Sequence, residues 1–209
     1  MARLDDVFFV SSFSSLARSS TQKGKRNYVE LRCKVNKDHI LLKLVLDEIG
    51  LGDLKIDDFR SRKTLQKKMY LLQLTGIDLG YRYNWYLYGP YCPALANDTF
   101  TLRDEIKYDD EFNNYELNSK TKSGLDTLSS VVGLPETAET TEPEWLELLA
   151  SLHYLKHVAY WPGKSDPQFE EVFEKLKESK PHFQGRRTLA EAAWKRLDEA
   201  GLVSRKTLE

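Results

Sequence analysis

The sequence has little cysteine and no long apolar run. Its 209 residues include 2 Cys, Cys33 and Cys92, which lie far apart and form no CxxC pair. A disulfide scaffold is therefore excluded, and a zinc site built from cysteines is not indicated. No apolar stretch approaches the roughly 20 residues that span a bilayer. We therefore expect reduced thiols, no membrane segment and a cytoplasmic location.

Strong charge of one sign and the common catalytic motifs are also missing. The formal net charge is −1, so the whole protein has no strong electrostatic field. The sequence contains no GxSxG, no P-loop and no GxGxxG, which are the patterns of serine hydrolases and nucleotide-binding enzymes. We therefore expect a protein that is not an enzyme and needs no cofactor.

The composition is nevertheless that of a folded protein. Hydrophobic residues make up 41% of the chain and aromatic residues 11%, which is enough to build a core. The charge is uneven, because residues 103–150 contain 4 Lys/Arg and 12 Asp/Glu between more basic flanks. This distribution predicts either a dipolar surface or charge pairing within the molecule.

Helical periodicity begins at Asp38. Capping residues, prolines and glycines predict helices over about 38–49, 61–74, 93–102, 119–132, 145–160, 166–179 and 187–200. Ser61 is the predicted cap of the second helix, and residues 188–191 read as a capping box for the last one. Strands are predicted over 81–88, near 115–117 and near 202–204.

The order of these elements indicates a fold class. Helices precede an aromatic strand and a second short strand, which we expect to pair as the hairpin of a winged helix with a helix inserted between them. We therefore predict a mainly α fold with a small β-hairpin, arranged as a winged-helix-like helical domain around a single core.

The chain divides into three predicted parts. Residues 1–37 form a basic, Ser-rich arm, which is either disordered or an extension from an upstream start site, and Asp5 and Asp6 argue against a signal peptide. Residues 38–134 form the winged-helix-like core. A linker follows over Pro135–Pro143, and residues 144–209 form a C-terminal helical subdomain packed on the core.

Two motifs are distinctive as a pair. The second helix has the form LQKxxYLxQ, and the aromatic segment after it ends in YGP. The residues that carry the motifs are Leu65, Gln66, Lys67, Tyr70, Gln73, Tyr88, Gly89 and Pro90. With further similar segments at 145–152 and 176–183, they resemble the YwgA-like family and the broader Panacea/SocA-like group over about residues 38–205. Lys68 and Met69 depart from the pattern, which usually has two apolar residues there.

The resemblance implies a mostly helical fold and a role in defence loci, mobile elements or toxin–antitoxin pairs. Panacea-type domains act there as antitoxins, and a SocA-like member acts as a proteolytic adaptor. The resemblance brings no catalytic residues. We therefore expect a regulator or antitoxin-like adaptor that acts through contact with a protein partner, and a homodimer is compatible with this role.

The second helix also suggests an alternative function. Five cations and no acid fall within nine residues, namely Arg60, Arg62, Lys63, Lys67 and Lys68. If exposed, they form a phosphate-binding face, and the protein is a winged-helix transcriptional regulator that binds DNA. Otherwise they are a solvated face or pair with the acidic segment. A DNA binder should present Arg60, Lys63 and Lys67 on an open convex face. A protein adaptor should instead expose a contiguous apolar or aromatic patch of roughly several hundred Å².

Other chemistry would need a metal or a nucleophile. His153 and His157 form an HxxxH pair on one helical face, with Glu147 or His182 as a third zinc ligand, but the Glu of HExxH is missing. Cys92 precedes a helix and is the candidate nucleophile. We favour a buried His pair and a buried thiol. An enzyme is the third option, and it requires these groups to converge in a closed pocket.

Overall fold

The computed structural model describes residues 7–9, 37–106, 111–136 and 139–204. The α helices in these ranges are α1 (Lys37–Glu48), α2 (Phe59–Leu74), α3 (Pro93–Glu105), α4 (Ser119–Val132), α5 (Glu142–His157), α6 (Phe169–Ser179) and α7 (Arg187–Glu199). The strands are β1 (Val7–Phe9), β2 (Asn84–Tyr86), β3 (Gly89–Tyr91) and β4 (Tyr115–Leu117), and short 3-10 helices cover Glu111–Asn114 and Pro181–Phe183. The predicted mainly helical fold with a small β-hairpin is confirmed, and the winged-helix arrangement stays a prediction.

The β-hairpin is shorter than predicted and closes on itself. β2 and β3 pair antiparallel, with Trp85 opposite Pro90 and Tyr86 opposite Gly89. The turn therefore lies at Leu87 and Tyr88, whereas Gly89 and Pro90, the predicted turn residues, belong to β3. β4 is present where the sequence predicts it, but it pairs antiparallel with β1, Phe8 lying opposite Glu116. The prediction of a single strand over 81–88 that pairs with the 115–117 strand is therefore wrong.

The helix positions follow the sequence, but some caps differ. Asp58 caps α2, because its carboxylate accepts a hydrogen bond of 2.8 Å from the backbone N–H of Ser61. Ser61, the predicted cap, is thus the residue that the cap binds. Cys92 caps α3 and Asn118 caps α4. Side-chain oxygens or sulfur at these positions satisfy N–H groups that the first turn leaves without helical partners.

The C-terminal elements also differ in detail from the prediction. No capping box forms at the start of α7, where the N-cap is Arg186 and Glu191 pairs with Arg187. The capping box of this region joins Gln168 and Glu171 at the start of α6. Residues 202–204 are bends rather than a strand.

α2 and α5 pack against each other at the centre of the fold. α5 is buried almost all round, and Trp145, Leu146, Leu149 and Leu152 have no exposed surface. One cluster of buried apolar residues joins elements from α1 to Val203, so the predicted single core is confirmed. Most of the predicted arm, residues 1–6 and 10–36, lies outside the described residues. Within the described ranges, no helix combines the length and apolar character needed to cross a membrane.

Candidate binding site

Two glutamines of the helix motif hold the segment that leads into and out of the hairpin. The Gln66 amide donates to the Cys92 carbonyl and accepts from the Cys92 N–H, both at 2.9 Å. The Gln73 amide makes the same pair of bonds to Tyr81, at 2.9 and 3.1 Å. The two glutamines are seven residues apart and therefore lie on one helical face. Each glutamine side chain forms hydrogen bonds with both the N–H and the carbonyl of one residue that lies outside the strands and therefore lacks a strand partner for these groups.

The other motif residues fix the hairpin at its centre. The Lys67 ammonium donates to the Pro90 carbonyl at 2.6 Å, although Lys67 is only 2% exposed. Gly89 has a φ of +84°, and a Cβ there would lie 2.5 Å from the Ser151 hydroxyl. A glycine is therefore required both for the backbone conformation and for close packing on α5. Tyr70 contacts α5 as well, because its hydroxyl lies 2.8 Å from Nδ1 of His153.

A buried carboxylate collects lysines beneath the hairpin. Glu147 is 2% exposed, and its two oxygens contact the ammonium groups of Lys63 and Lys180, each at 2.9 Å. His182 Nε2 lies 3.3 Å from the same carboxylate. Lys180 also donates to the Leu87 carbonyl in the hairpin turn. A carboxylate on α5 is thus linked to α2, to the hairpin and to the segment after α6.

Burial and the neighbouring charges shift the pKa values of Glu147, Lys180 and Lys67. Burial alone would raise the pKa of Glu147, but the Lys180 and Lys63 ammoniums outweigh burial and lower it. Burial lowers the pKa of Lys180, and Glu147 opposes this effect only in part. Burial also lowers the pKa of Lys67 to about 7, with Lys180 and Lys63 adding to the shift and Glu147 opposing it. Lys63 and Lys180 therefore share one carboxylate, while the pKa of Lys67 lies close to neutral pH.

A pocket of about 260 Å³ opens between α2, the hairpin and the start of α3. Its inner wall includes Lys63, Gln66 and Lys67 from α2. Its other lining residues include large apolar side chains that are 38–71% exposed, namely Phe59, Tyr86, Leu87, Tyr88 and Phe100. Five of the eight exposed large hydrophobic residues of the described chain thus lie around this one pocket. We call these five residues the aromatic rim and the pocket that they surround the aromatic pocket.

The five cations predicted to bind nucleic acid do not form an open face. Lys67 is buried, and Lys63 points to Glu147 with 15% of its side chain exposed. The others divide between solvent and local partners: Arg60 is exposed, Arg62 donates to the carbonyls of Ile56 and Asp57, and Lys68 pairs with Glu142 at 2.8 Å. The expectation of Arg60, Lys63 and Lys67 on one convex surface therefore fails, because the hairpin covers Lys67. Exposed apolar side chains lie in the aromatic rim instead, and the choice between a protein partner and DNA stays a prediction.

The His pair is close in space but is not completed by a third ligand. The rings of His153 and His157 lie 4.7 Å apart, and His157 Nε2 lies 3.0 Å from the Leu202 carbonyl. Glu147 and His182, the two candidates for a third ligand, contact each other, and Glu147 also contacts Lys63 and Lys180. Among the described residues, no group of three or more His, Cys, Asp or Glu could hold a metal ion. Burial, and secondarily His157, lowers the pKa of His153 to about 3.

Cys92 is a buried residue of the helix cap. It is 2% exposed, and its Sγ accepts from the Leu95 N–H at 3.5 Å. None of Cys92, His153 and His157 lines the aromatic pocket.

Known proteins add no constraint to this site. No family model, no curated protein and no solved structure matches this chain. The YwgA-like and Panacea/SocA-like resemblance therefore stays a prediction that rests on the two motifs and on the similar segments at 145–152 and 176–183.

Sequence reasoning missed Lys180 and misjudged Glu147. The residues next to Lys180 in the sequence give no sign that it is buried, because it follows an amphipathic helix. Its ion partner, Glu147, lies 33 positions away. Glu147 had a usable signal, because it is a lone acid within the apolar run of α5. A carboxylate on a helix that is buried all round needs a cation beside it.

Proposed function

We propose that this chain is a non-enzymatic binding protein, an antitoxin-like adaptor whose pocket receives an apolar segment of a partner protein. The observation that carries the proposal is the aromatic rim around a pocket. Large exposed apolar side chains that are contiguous are typical of binding surfaces, whereas single ones are not. Tyrosine is also among the residues that most often carry the binding energy of protein interfaces.

The buried hydrogen bonds that anchor the hairpin support the same function. Gln66 holds the hairpin exit, Lys67 holds Pro90, and Lys180 holds the turn at Leu87. The exposed rim residues of the hairpin are therefore supported by buried hydrogen bonds. A surface that is ordered before binding loses less conformational entropy when the partner arrives.

The test is co-expression with toxic products of neighbouring genes, followed by measured binding of any partner that is neutralised. The test variant is Tyr86→Ser combined with Leu87→Ser, which removes two exposed rim side chains. The matched control is Val158→Ser combined with Tyr160→Ser, because these residues are 54% and 81% exposed and do not line the pocket.

We expect the rim variant to lose growth rescue and to bind the partner at least tenfold more weakly, since truncating one central interface residue often costs more than about 1 kcal/mol. The control should behave as the wild type. Equal binding by the rim variant and the wild type would contradict the proposal.

The alternative of a DNA-binding regulator has less support, because Lys67 and Lys63 face the interior. Binding of a labelled duplex at about 50 and 200 mM salt tests it, since phosphate contacts weaken steeply over this range. Tight, salt-dependent binding that Arg60→Glu abolishes would favour the alternative.

A further inference from the structure

Lys67 is a buried cation without a carboxylate partner. Among the described residues it makes no ion pair, and its single hydrogen bond goes to the Pro90 carbonyl. An ammonium group has three N–H donors, so two remain available. The charged groups that face Lys67 are Lys63 from its own helix, Glu147 from α5 and Lys180 after α6. Three lysines thus surround one carboxylate.

The protonated form of Lys67 is therefore unfavourable unless a further anion lies beside it. A buried charge that lacks a partner costs several kcal/mol, by order of magnitude, unless it is neutralised or paired. Lys67 also lines the aromatic pocket, together with Lys63 and Arg62. No Asp or Glu is among the described residues that line it. The charged residues that line the pocket are therefore all basic, while nearly all of its exposed surface is apolar.

The size of the pocket limits what can bring the anion. At about 260 Å³, it is smaller than the roughly 300–1,000 Å³ of pockets for drug-sized ligands. It has room for about one residue of a partner chain. A C-terminal residue supplies both groups at once, because its carboxylate and its side chain leave the same Cα. An internal Asp or Glu would need a second residue to supply the apolar contact.

We propose that the pocket binds the C-terminal residue of the partner protein, with its apolar side chain against the aromatic rim and its carboxylate on Lys67. This proposal rests on the proposed function and specifies the part of the partner that is recognised. Capture of chain termini is a known mode of peptide recognition, although backbone N–H groups rather than lysine often supply the donors.

Three small probes with the same aromatic ring test the proposal. They are N-acetylphenylalanine, N-acetylphenylalanine amide and N-acetyl-aspartyl-phenylalanine amide, titrated against the full chain by protein-observed NMR at pH 6. The first has a terminal carboxylate, the second has none, and the third has only a side-chain carboxylate. We expect the first to bind at least tenfold more tightly than the other two.

Variants locate the anion on Lys67. Lys67→Met keeps about the volume of the buried side chain and should remove the tenfold preference for the acid over the amide. Lys68→Gln is the matched control on the same helix, because Lys68 pairs with Glu142 and does not line the pocket. Thermal unfolding of each variant reports whether it folds.

The pH profile of the wild type gives a test that needs no variant. An anion on Lys67 favours its protonated form, so the acid should bind most tightly below pH 7. Its affinity should fall by up to tenfold per pH unit above pH 7, since one proton is taken up on binding. Binding of the amide should not change over this range.

The outcomes separate this proposal from the proposed function. Equal affinity for acid and amide, or no binding of any probe at 10 mM, would overturn it. Equal affinity for the aspartyl probe and the acid would overturn the assignment to a chain terminus. The proposed function is judged separately, by the effect of the Tyr86 and Leu87 substitutions on the partner.

Discussion

Substitution of Glu147 by Gln is the most direct test of the buried charge cluster. The carboxylate contacts Lys63 and Lys180 at 2.9 Å each and lies within 3.3 Å of His182. Gln keeps nearly the same shape and can still accept hydrogen bonds, but it removes the negative charge. Lys180, which has only 1% of its side chain exposed, would then be a buried cation with no ion partner.

Breaking a buried ion pair on one side costs about 3–5 kcal/mol. For a chain of 150–250 residues, each kcal/mol lowers Tm by about 2–4 °C, so we expect a decrease of about 6–20 °C. Calorimetry and urea unfolding at pH 7 measure it. Glu142→Gln is the matched control on the same helix, because Glu142 pairs with Lys68 and is 44% exposed. An exposed pair contributes only about 0–1 kcal/mol.

Two further measurements check the reasoning. Adding Lys180→Met to Glu147→Gln removes the unpaired cation and should recover part of the lost stability. The difference between wild type and Glu147→Gln should also shrink as the pH falls below about 4.5, because the folded-state pKa of Glu147 lies below its unfolded value. If Glu147→Gln lowers Tm no more than Glu142→Gln does, the cluster does not stabilise the fold and the reasoning is refuted.

Two other predictions concern the hairpin and the His pair. Gly89→Ala should cost at least about 1–2 kcal/mol, because its φ is positive, and Ser151→Ala should recover only the part that comes from the close contact with the hydroxyl. Unfolding of each single and double variant measures this. His153 has a folded-state pKa of about 3, so the unfolded chain binds more protons below pH 6.5. Stability should therefore be lost as the pH falls from about 6.5 to 3, by up to about 1.4 kcal/mol per pH unit, and acid unfolding of His153→Gln should lack this part of the slope.

The helices were predictable because their signals are local. The signals are apolar periodicity, prolines in the first turn and glycines just after the last turn, and all of them lie in or next to the helix that they define. The last helix is an example, because it is predicted over 187–200 and observed over Arg187–Glu199. The strand pairings were not predictable in this way. β4 was located correctly from Tyr115–Leu117, but its partner Val7–Phe9 lies more than 100 positions away. Short strands have too few residues for their sequence to select one partner.

The lysines of α2 show why the site was harder to predict than the fold. A helical wheel separates Lys67 from the apolar face of Leu65 and Met69, and a basic face normally lies in solvent. The hairpin packs over that second face and buries Lys67 at 2% exposure. The exposure of a charged helix face depends on residues that pack against it from distant positions in the sequence. Pro90, which accepts the hydrogen bond of Lys67, lies 23 positions away. The sequence of the helix alone therefore does not show whether this face is exposed.

The two sequence motifs bind each other in the folded protein. Gln66, Lys67 and Gln73 of the helix bind Cys92, Pro90 and Tyr81 through the backbone. These contacts explain the motif residues by folding alone, since each satisfies buried polar groups of the hairpin segment. A resemblance that rests on the motifs therefore predicts the fold of this region better than the identity of the partner. The choice of partner should depend on the exposed rim at Tyr86 and Leu87, whose side chains the motif bonds do not use.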